Sequence, residues 1–255
     1  MNSDSEPKID VEPAQRQPRE TYKGLCRRCQ SPYECGAVRY GSELWPFTFY
    51  CDPCFDIERA AHDAAEQDAR KAKRAEAWAE DVGHDAFTDT DIARLDAALL
   101  AKVMSWTYGA KGLLLHGPSG RTKSRMMWLL ARRLYVDDGI PLMVLRATKL
   151  SRNIGDMMTP AGAIEAQIRA LISTPILIID DLGKEVQSDR WESALIEILD
   201  ARTSARRPVI ITTNYVGDKL VQRYRDRSTG EAIVRRLRDF CGSVSFSTPN
   251  PSISP

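Results

Sequence analysis

The chain has 255 residues, a formal net charge of +1 and six cysteines. This length allows one sizeable core and a small additional module, since a domain usually takes ~100 to 200 residues. The near-zero net charge excludes an overall electrostatic attraction to polyanions, so contact with nucleic acid would depend on a local patch of charge. No apolar run approaches the ~18 residues of a membrane span, and the first residues are polar. We therefore expect a cytoplasmic protein that makes no membrane contact.

The first part of the chain predicts a disordered tail followed by a metal-binding module. Residues 1–22 are rich in proline and polar side chains, which disfavours a packed core. Residues 23–55 hold two Cys-x-x-Cys pairs, and a hairpin between them would bring two knuckles together as a tetrahedral zinc site. We predict a zinc ribbon, with free thiols in a small core as the alternative, and Cys35 could replace one ligand. The predicted zinc ligands are Cys26, Cys29, Cys51 and Cys54.

Two helices are predicted before the main sheet. The alanine-rich, charged stretch at 56–83 predicts a solvated connecting helix that ends at Gly83 and carries His62 on its surface. The pattern over 89–104 predicts an N-capped amphipathic helix that leads into the first strand. We assign the main domain to residues 84–246.

An apolar run at 113–115 leads into a glycine-containing turn and then a Lys-Ser pair. This pattern is typical of a loop in which backbone N–H groups converge on phosphate oxygens. Lys123 would reach the β- and γ-phosphates of ATP, and the Ser124 hydroxyl would hold Mg²⁺ at the first turn of a helix. The predicted nucleotide-binding residues of the loop are Gly117, Pro118, Ser119, Gly120, Arg121, Thr122, Lys123 and Ser124.

Thr122 departs from the phosphate-loop pattern, which has glycine before the lysine. Glycine is favoured where the backbone needs a positive φ or where a ligand approaches closely. A threonine there predicts a cost of about 1 to 3 kcal/mol if the same backbone is kept. The alternative interpretation of this stretch is an ordinary strand-turn-helix corner.

Beyond the loop, strand-like and helix-like segments alternate, which predicts a parallel α/β sheet with helices on both faces. The predicted strands lie at 142–147, 175–181, 208–214 and 242–246, and the predicted helices at 160–172 and 189–203. The Pro/Ser-rich residues 247–255 predict a second disordered tail.

Polar side chains end two of the predicted strands. Asp180 and Asp181 follow the run 176–179, and Asn214 ends the next strand. In a parallel sheet the carboxyl ends of strands share one edge, where ligands bind. We expect Asp180 to hold Mg²⁺ together with Ser124, while Asp181 and Asn214 position the attacking water.

Three segments together resemble the AAA+ ATPases of the DnaC/DnaI helicase-loader and IstB transposition-helper group. They are the phosphate-loop segment 113–124, Leu-Ile-Ile-Asp-Asp-Leu-Gly-Lys-Glu at 177–185 and Ile-Ile-Thr-Thr-Asn-Tyr at 210–215, within a likeness over 85–246. The resemblance implies Walker A and Walker B elements, with Asp181 as the catalytic acid and Asn214 as sensor 1. It also implies that Arg236, or else Arg235, is an arginine finger for a neighbouring subunit. No arginine follows Arg238 to serve as sensor 2.

The resemblance implies a protein that uses ATP, Mg²⁺ and Zn²⁺, assembles into a nucleotide-dependent homo-oligomer and hydrolyses ATP slowly. Its expected partners are a replicative helicase and single-stranded DNA. One alternative is a transposition helper on duplex DNA, and another is a non-hydrolysing adaptor that recognises its partner through the zinc ribbon. Basic residues between 202 and 238, with Tyr215 and Tyr224, could form a nucleic-acid track or simply solvated helix faces.

Overall fold

The computed structural model describes residues 20–82, 87–156 and 160–246. The chain divides into two units, residues 1–69 and 70–255, with the boundary inside the first helix. Gly83 and the tail at 247–255 lie outside the described residues, as do residues 1–19 of the other predicted tail. Among the helices described, none combines the length and the apolar character that a membrane crossing requires.

The first unit contains a three-stranded antiparallel sheet in the order β1-β2-β3. Its strands are β1 (Glu20–Leu25), β2 (Pro32–Tyr40) and β3 (Glu43–Pro46), followed by the start of helix α1 (Asp52–Val82). The predicted hairpin is present, and Gly41 supplies the positive φ of its turn. Residues 20–22, predicted to be disordered, instead pair with β2 as part of β1. The short segment has little apolar alternation, so its strand character comes from this pairing.

The second unit is built on a parallel sheet in the order β5-β6-β7-β4-β8. Its strands are β4 (Gly112–His116), β5 (Leu142–Arg146), β6 (Ile176–Leu182), β7 (Val209–Thr213) and β8 (Cys241–Ser245). All five coincide with predicted strands to within about one or two residues, and the predicted parallel α/β class is confirmed. β6 and β7 are buried on both faces because they are continuous runs of branched apolar residues.

Helices cover both faces of this sheet. They are α2 (Ala97–Met104), α3 (Lys123–Arg132), α4 (Ala147–Gly155), α5 (Ala161–Ser173), α6 (Asp189–Ser204), α7 (Asp218–Val221) and α8 (Arg227–Phe240). Leu177 and Ile179 of β6 pack with α4, α5, α6 and α8 on one face. Ile176 and Ile178 pack with α3 on the other face, together with Trp78 of α1. Alternate residues of each strand thus feed two separate cores.

The prediction of one helix over 89–104 was wrong in its extent, because the structure has a short 3-10 turn followed by the shorter helix α2. Asp91 caps a short 3-10 turn at Ile92–Arg94, and Asp96 caps α2 by accepting a bond from Leu99 N. Two aspartates in succession thus divide the segment, because each favours a helix start over a helix interior. Helix α4, directly after β5, was not predicted.

Arg202, predicted as part of a possible nucleic-acid track, is instead a buried residue that holds several backbone segments together. Its side chain is 1% exposed and donates to five carbonyl oxygens. These carbonyls belong to the end of α5 and to the residues that precede β6 and β7, namely Leu171, Ile172, Thr174, Pro175 and Pro208. Burial lowers the pKa of Arg202 to about 10. Tyr224, proposed for base stacking, is also buried.

Arg202→Met is expected to lower the free energy of unfolding by about 3 kcal/mol, because buried carbonyl oxygens lose a charged donor. Urea denaturation followed by circular dichroism measures this loss. Arg169→Met, on the exposed side of α5, is the matched control. An equal loss in both variants would show that the contacts of Arg202 stabilise the fold no more than those of an exposed arginine.

Candidate nucleotide site and metal centre

The turn between β4 and α3 has the backbone of a phosphate-binding loop. Gly117, Gly120 and Thr122 all have positive φ, at 142°, 77° and 62°. Gly117 also needs its missing side chain, since a Cβ there would lie 3.0 Å from the backbone of Phe246. Helix α3 begins at Lys123, so its free N–H groups face the turn. The segment therefore offers an anion site at the carboxyl edge of the sheet.

Thr122 keeps the left-handed conformation that glycine normally supplies at this position. This conformation is unusual for a β-branched residue. The Thr122 hydroxyl donates to the Arg121 carbonyl oxygen at 2.6 Å, which offsets part of the strain. The threonine therefore does not reshape the loop.

Thr122→Gly is expected to raise the free energy of unfolding by about 0.5 to 1 kcal/mol. The relieved strain of ~1 to 2 kcal/mol exceeds the entropic cost of a glycine. Chemical denaturation measures the gain, and an ATP titration should show binding at least as tight as in the native chain. Thr122→Ala, which retains a Cβ at positive φ, should show no gain. Equal gains in both variants would disprove backbone strain at this position.

Lys123 is the central cation of the site and is 5% exposed. Its Nζ donates to the carbonyl oxygens of Gly117 and Pro118 and to Oδ1 of Asn214, each at 2.8 Å. Burial lowers the pKa of Lys123, and the Asp181 carboxylate opposes this shift. The structure thus brings together the predicted loop lysine and the predicted sensor residue, although they are 91 positions apart in the chain.

Ser124 and Asp180, the two predicted magnesium ligands, are in direct contact. Ser124 Oγ donates to Asp180 Oδ1 at 2.7 Å, and Thr212 Oγ1 donates to the same oxygen at 2.5 Å. Asp180 is buried at the end of β6. A hydroxyl and a carboxylate placed together form an oxygen donor set that suits Mg²⁺.

Asp181 lies next to this pair in a strained backbone conformation. Its φ is 61°, its N–H donates to Thr212 Oγ1 at 2.8 Å, and its carboxylate forms an ion pair with Lys184 at 2.9 Å. The two buried threonines of β7 were not predicted as site residues. Their hydroxyls in an otherwise apolar strand were the available signal, because a buried hydroxyl needs a hydrogen-bond partner.

A cavity of about 220 Å³ adjoins the loop at Thr122 and Arg125. Its other lining residues precede α2 and are Asp89, Asp91, Arg94 and Leu95. Arg125 of α3 forms an ion pair with Asp89 and lies 4.9 Å from the centre of the Phe87 ring. The cavity is a candidate site for the nucleoside, because it is next to the phosphate loop.

Arg236 is not brought into the nucleotide site of its own chain. Its guanidinium pairs with Asp200, with Nη2 and Oδ2 2.7 Å apart. It lines a pocket with Gly112, Val209 and Cys241, which are the first residues of β4, β7 and β8. Arg236 therefore lies at the edge of the sheet opposite the phosphate loop. Arg235 is exposed on the same helix.

The four predicted zinc ligands converge in the first unit. The Sγ atoms of Cys26, Cys29, Cys51 and Cys54 all lie within 4.8 Å of one another, and those of Cys29 and Cys51 are 3.6 Å apart. Tetrahedral zinc with bonds of about 2.3 Å separates its sulfur ligands by about 3.8 Å, so the cluster fits the metal. Cys35 instead donates to the Thr48 carbonyl oxygen. The cluster could hold zinc without Cys35.

The purified protein is expected to contain one zinc ion per chain, as measured by elemental analysis. Cys29→Ser should abolish this stoichiometry, because structural zinc takes four ligands. Cys35→Ser should retain it, since that thiol is outside the cluster. Zinc loss in both variants would disprove the assigned ligand set.

A family model described as IstB-like ATP binding protein matches residues 55–250. The chain belongs to the IstB-like ATP-binding family. A curated protein of Sinorhizobium fredii (strain NBRC 101917 / NGR234), described as an insertion sequence ATP-binding protein, is 28% identical over 163 residues. That match covers 61% of this chain and 53% of the relative, so the chain spans about half of the relative's length.

This IstB-like protein is similar in fold to solved structures. The crystal structure of DnaI is similar with a TM-score of 0.51 and 19% identity, covering 62% of this chain and 88% of that one. The structure of the DnaC helicase loader has a TM-score of 0.47 and 21% identity, covering 58% and 85%. The protein therefore belongs to a family described as ATP-binding, and it shares its fold with DnaI. The family match begins directly after the cysteine cluster.

Proposed function

We propose that this IstB-like protein loads a replicative helicase onto single-stranded DNA and switches its contacts through ATP binding and slow hydrolysis. The helicase part of the proposal is carried by one observation, an exposed aromatic surface on the cysteine-containing unit. The ATP part is supported by the family and by the contacts of Lys123, Ser124, Asp180 and Asn214.

The exposed surface, called here the aromatic face, consists of Tyr40, Trp45 and Phe47. These side chains are 70%, 52% and 61% exposed. Val38 pairs with Trp45 across the β2–β3 hairpin, and Phe47 packs beside Gly36, so the alternation of each strand places these residues on one side. Clustered exposed aromatic residues mark protein interfaces. The cysteine cluster would stabilise the sheet that presents them.

In the proposed switch, Lys123 and the loop N–H groups bind the phosphates of ATP. Ser124 and Asp180 would hold Mg²⁺, which when bound offsets phosphate charge. Asp181 would accept a proton from the attacking water, while Asn214 orients that water. Because Asn214 is bonded to Lys123, a phosphate that engages the lysine also changes the contacts at the end of β7.

Assembly would complete the site from a neighbouring subunit. An arginine on α8 is suited to this role, because α8 lies away from the phosphate loop of its own chain. Arg236 would have to leave Asp200 to act, whereas Arg235 is already exposed. We propose a nucleotide-dependent homo-oligomer in which one of these two arginines reaches the next nucleotide.

A transposition helper is the second candidate, and it is favoured by the family match and by the insertion sequence relative. The nucleotide site would work in the same way, but the partner would be a transposase and the DNA would be duplex. A non-hydrolysing adaptor would use the aromatic face without turnover.

The partner can be identified by capture with immobilised full-length protein and ATP, using the host cell's hexameric helicase and a transposase as separate preys. We expect the native chain to capture the helicase. The double variant Trp45→Ser/Phe47→Ser should bind the helicase at least about tenfold more weakly, because aromatic anchors dominate interface energies. Tyr108→Ser, another exposed aromatic position, is the control and should bind normally.

Capture of the transposase alone would overturn the helicase proposal in favour of the second candidate. ATP turnover is measured in parallel with and without single-stranded DNA. Absence of turnover in both conditions, and in Thr122→Gly, would support the adaptor instead.

A further inference from the structure

The backbone after β6 makes a tight turn that contains two positive φ angles. Lys184 N donates to the Asp181 carbonyl oxygen at 3.2 Å, and Gly183 is the third residue of this turn with a φ of 94°. That position requires glycine in a type II turn. Asp181 also has positive φ, so the turn persists only if its surroundings hold it.

Glu185 holds the N–H side of Gly183. Its carboxylate is 2% exposed, and Oε2 accepts a bond from Gly183 N at 2.6 Å. Oε1 accepts bonds from Gln187 Nε2 at 3.1 Å and Trp191 Nε1 at 3.3 Å. The bond from Gly183 N is short, as hydrogen bonds to a carboxylate are, and the two further N–H donors fix the position of that carboxylate. The Gly183 amide is thereby fixed to the start of α6.

Arg223 holds the opposite side of the same glycine. Its Nε donates to the Gly183 carbonyl oxygen at 2.7 Å. The guanidinium also lies 5.2 Å from the centre of the Tyr215 ring, and that ring packs so closely that a Cβ on Gly183 would lie 2.7 Å from it. Tyr215 directly follows Asn214. Arg223 therefore connects the turn after β6, the end of β7 and the segment after α7.

We propose that Glu185 and Arg223 are positioning residues that clamp Gly183 and so fix the left-handed backbone of Asp181. The inference rests on the proposed function, in which Asp181 acts on the attacking water. Thr212 and Thr213 hold the other side of the turn, through Asp181 N and the Leu182 carbonyl oxygen. Without the clamp, the turn that carries the Asp181 carboxylate loses two of the contacts that hold its backbone.

The two residues of the clamp differ in solvent exposure. Glu185 is buried, so its replacement would disturb packing, whereas the exposed Arg223 contributes little to the core. Arg223→Met therefore removes the hydrogen bond while retaining a long apolar stem. Arg223→Lys restores a cationic donor at a similar distance. Arg169→Met is the control, because it removes an exposed arginine of α5 whose ion pair is with Glu165 of the same helix.

The experiment combines steady-state ATPase kinetics without DNA, a thermal unfolding scan and hydrogen exchange of peptides within 176–187. For Arg223→Met we expect kcat to fall about tenfold or more, since small misplacements of reacting groups are costly. KM for ATP and the unfolding temperature should be unchanged. Amide exchange at 181–184 should accelerate about fivefold, because the turn opens locally. Arg223→Lys should recover part of kcat and of the protection.

Unchanged amide exchange at 181–184 in Arg223→Met would overturn the proposed clamp. A fall in both the unfolding temperature and the nucleotide affinity would also overturn it, because it would indicate a purely structural role for Arg223. If the native chain shows no turnover, the hydrolysis part of the proposed function fails by itself. The exchange measurement then decides the clamp alone, because it does not require activity.

Discussion

The hydrogen bond between Lys123 Nζ and Asn214 Oδ1 joins the two halves of the nucleotide site. It is possible because β4 and β7 are neighbours in the sheet, although a long stretch of chain separates them. On its other side β7 pairs with β6, which places Thr212 of β7 against Asp180 near the end of β6. Lys123 is bonded to two loop carbonyls and to the amide oxygen of Asn214, and no carboxylate of the described residues forms an ion pair with it. Its positive charge remains available to phosphate.

Much of this arrangement could be predicted because it depends on local chemistry. Apolar runs specified four of the five strands, β4 to β7, and the glycine-containing turn before Lys123 specified the loop. The carboxylates after Ile179 and the amide after Thr213 were predicted at one sheet edge, since parallel strands share that edge. The four cysteines were predicted by spacing alone. For Thr122, the expected cost of positive φ follows from the missing glycine, and the structure retains that φ.

Other features depend on tertiary contacts that no local pattern contains. β1 is a strand because β2 supplies its hydrogen-bond partners, and α2 starts late because Asp91 and Asp96 both act as caps. Arg202 looked like one surface arginine among many, but five converging carbonyls make it internal. The contacts of Glu185 and Arg223 with Gly183 were equally hidden, because their partners come from turns whose conformation the sequence pattern does not reveal.

Arg202 holds the edge of the sheet opposite the nucleotide site. Its guanidinium ties together the backbone that enters β6 and β7, so those two strands cannot slide against each other where they begin. Where they end, the backbone bulges between Ile179 and Leu182 and continues into turns held mainly by side-chain hydrogen bonds. The two edges therefore depend on different contacts: one guanidinium holds the start of both strands, whereas several side chains act together at their ends.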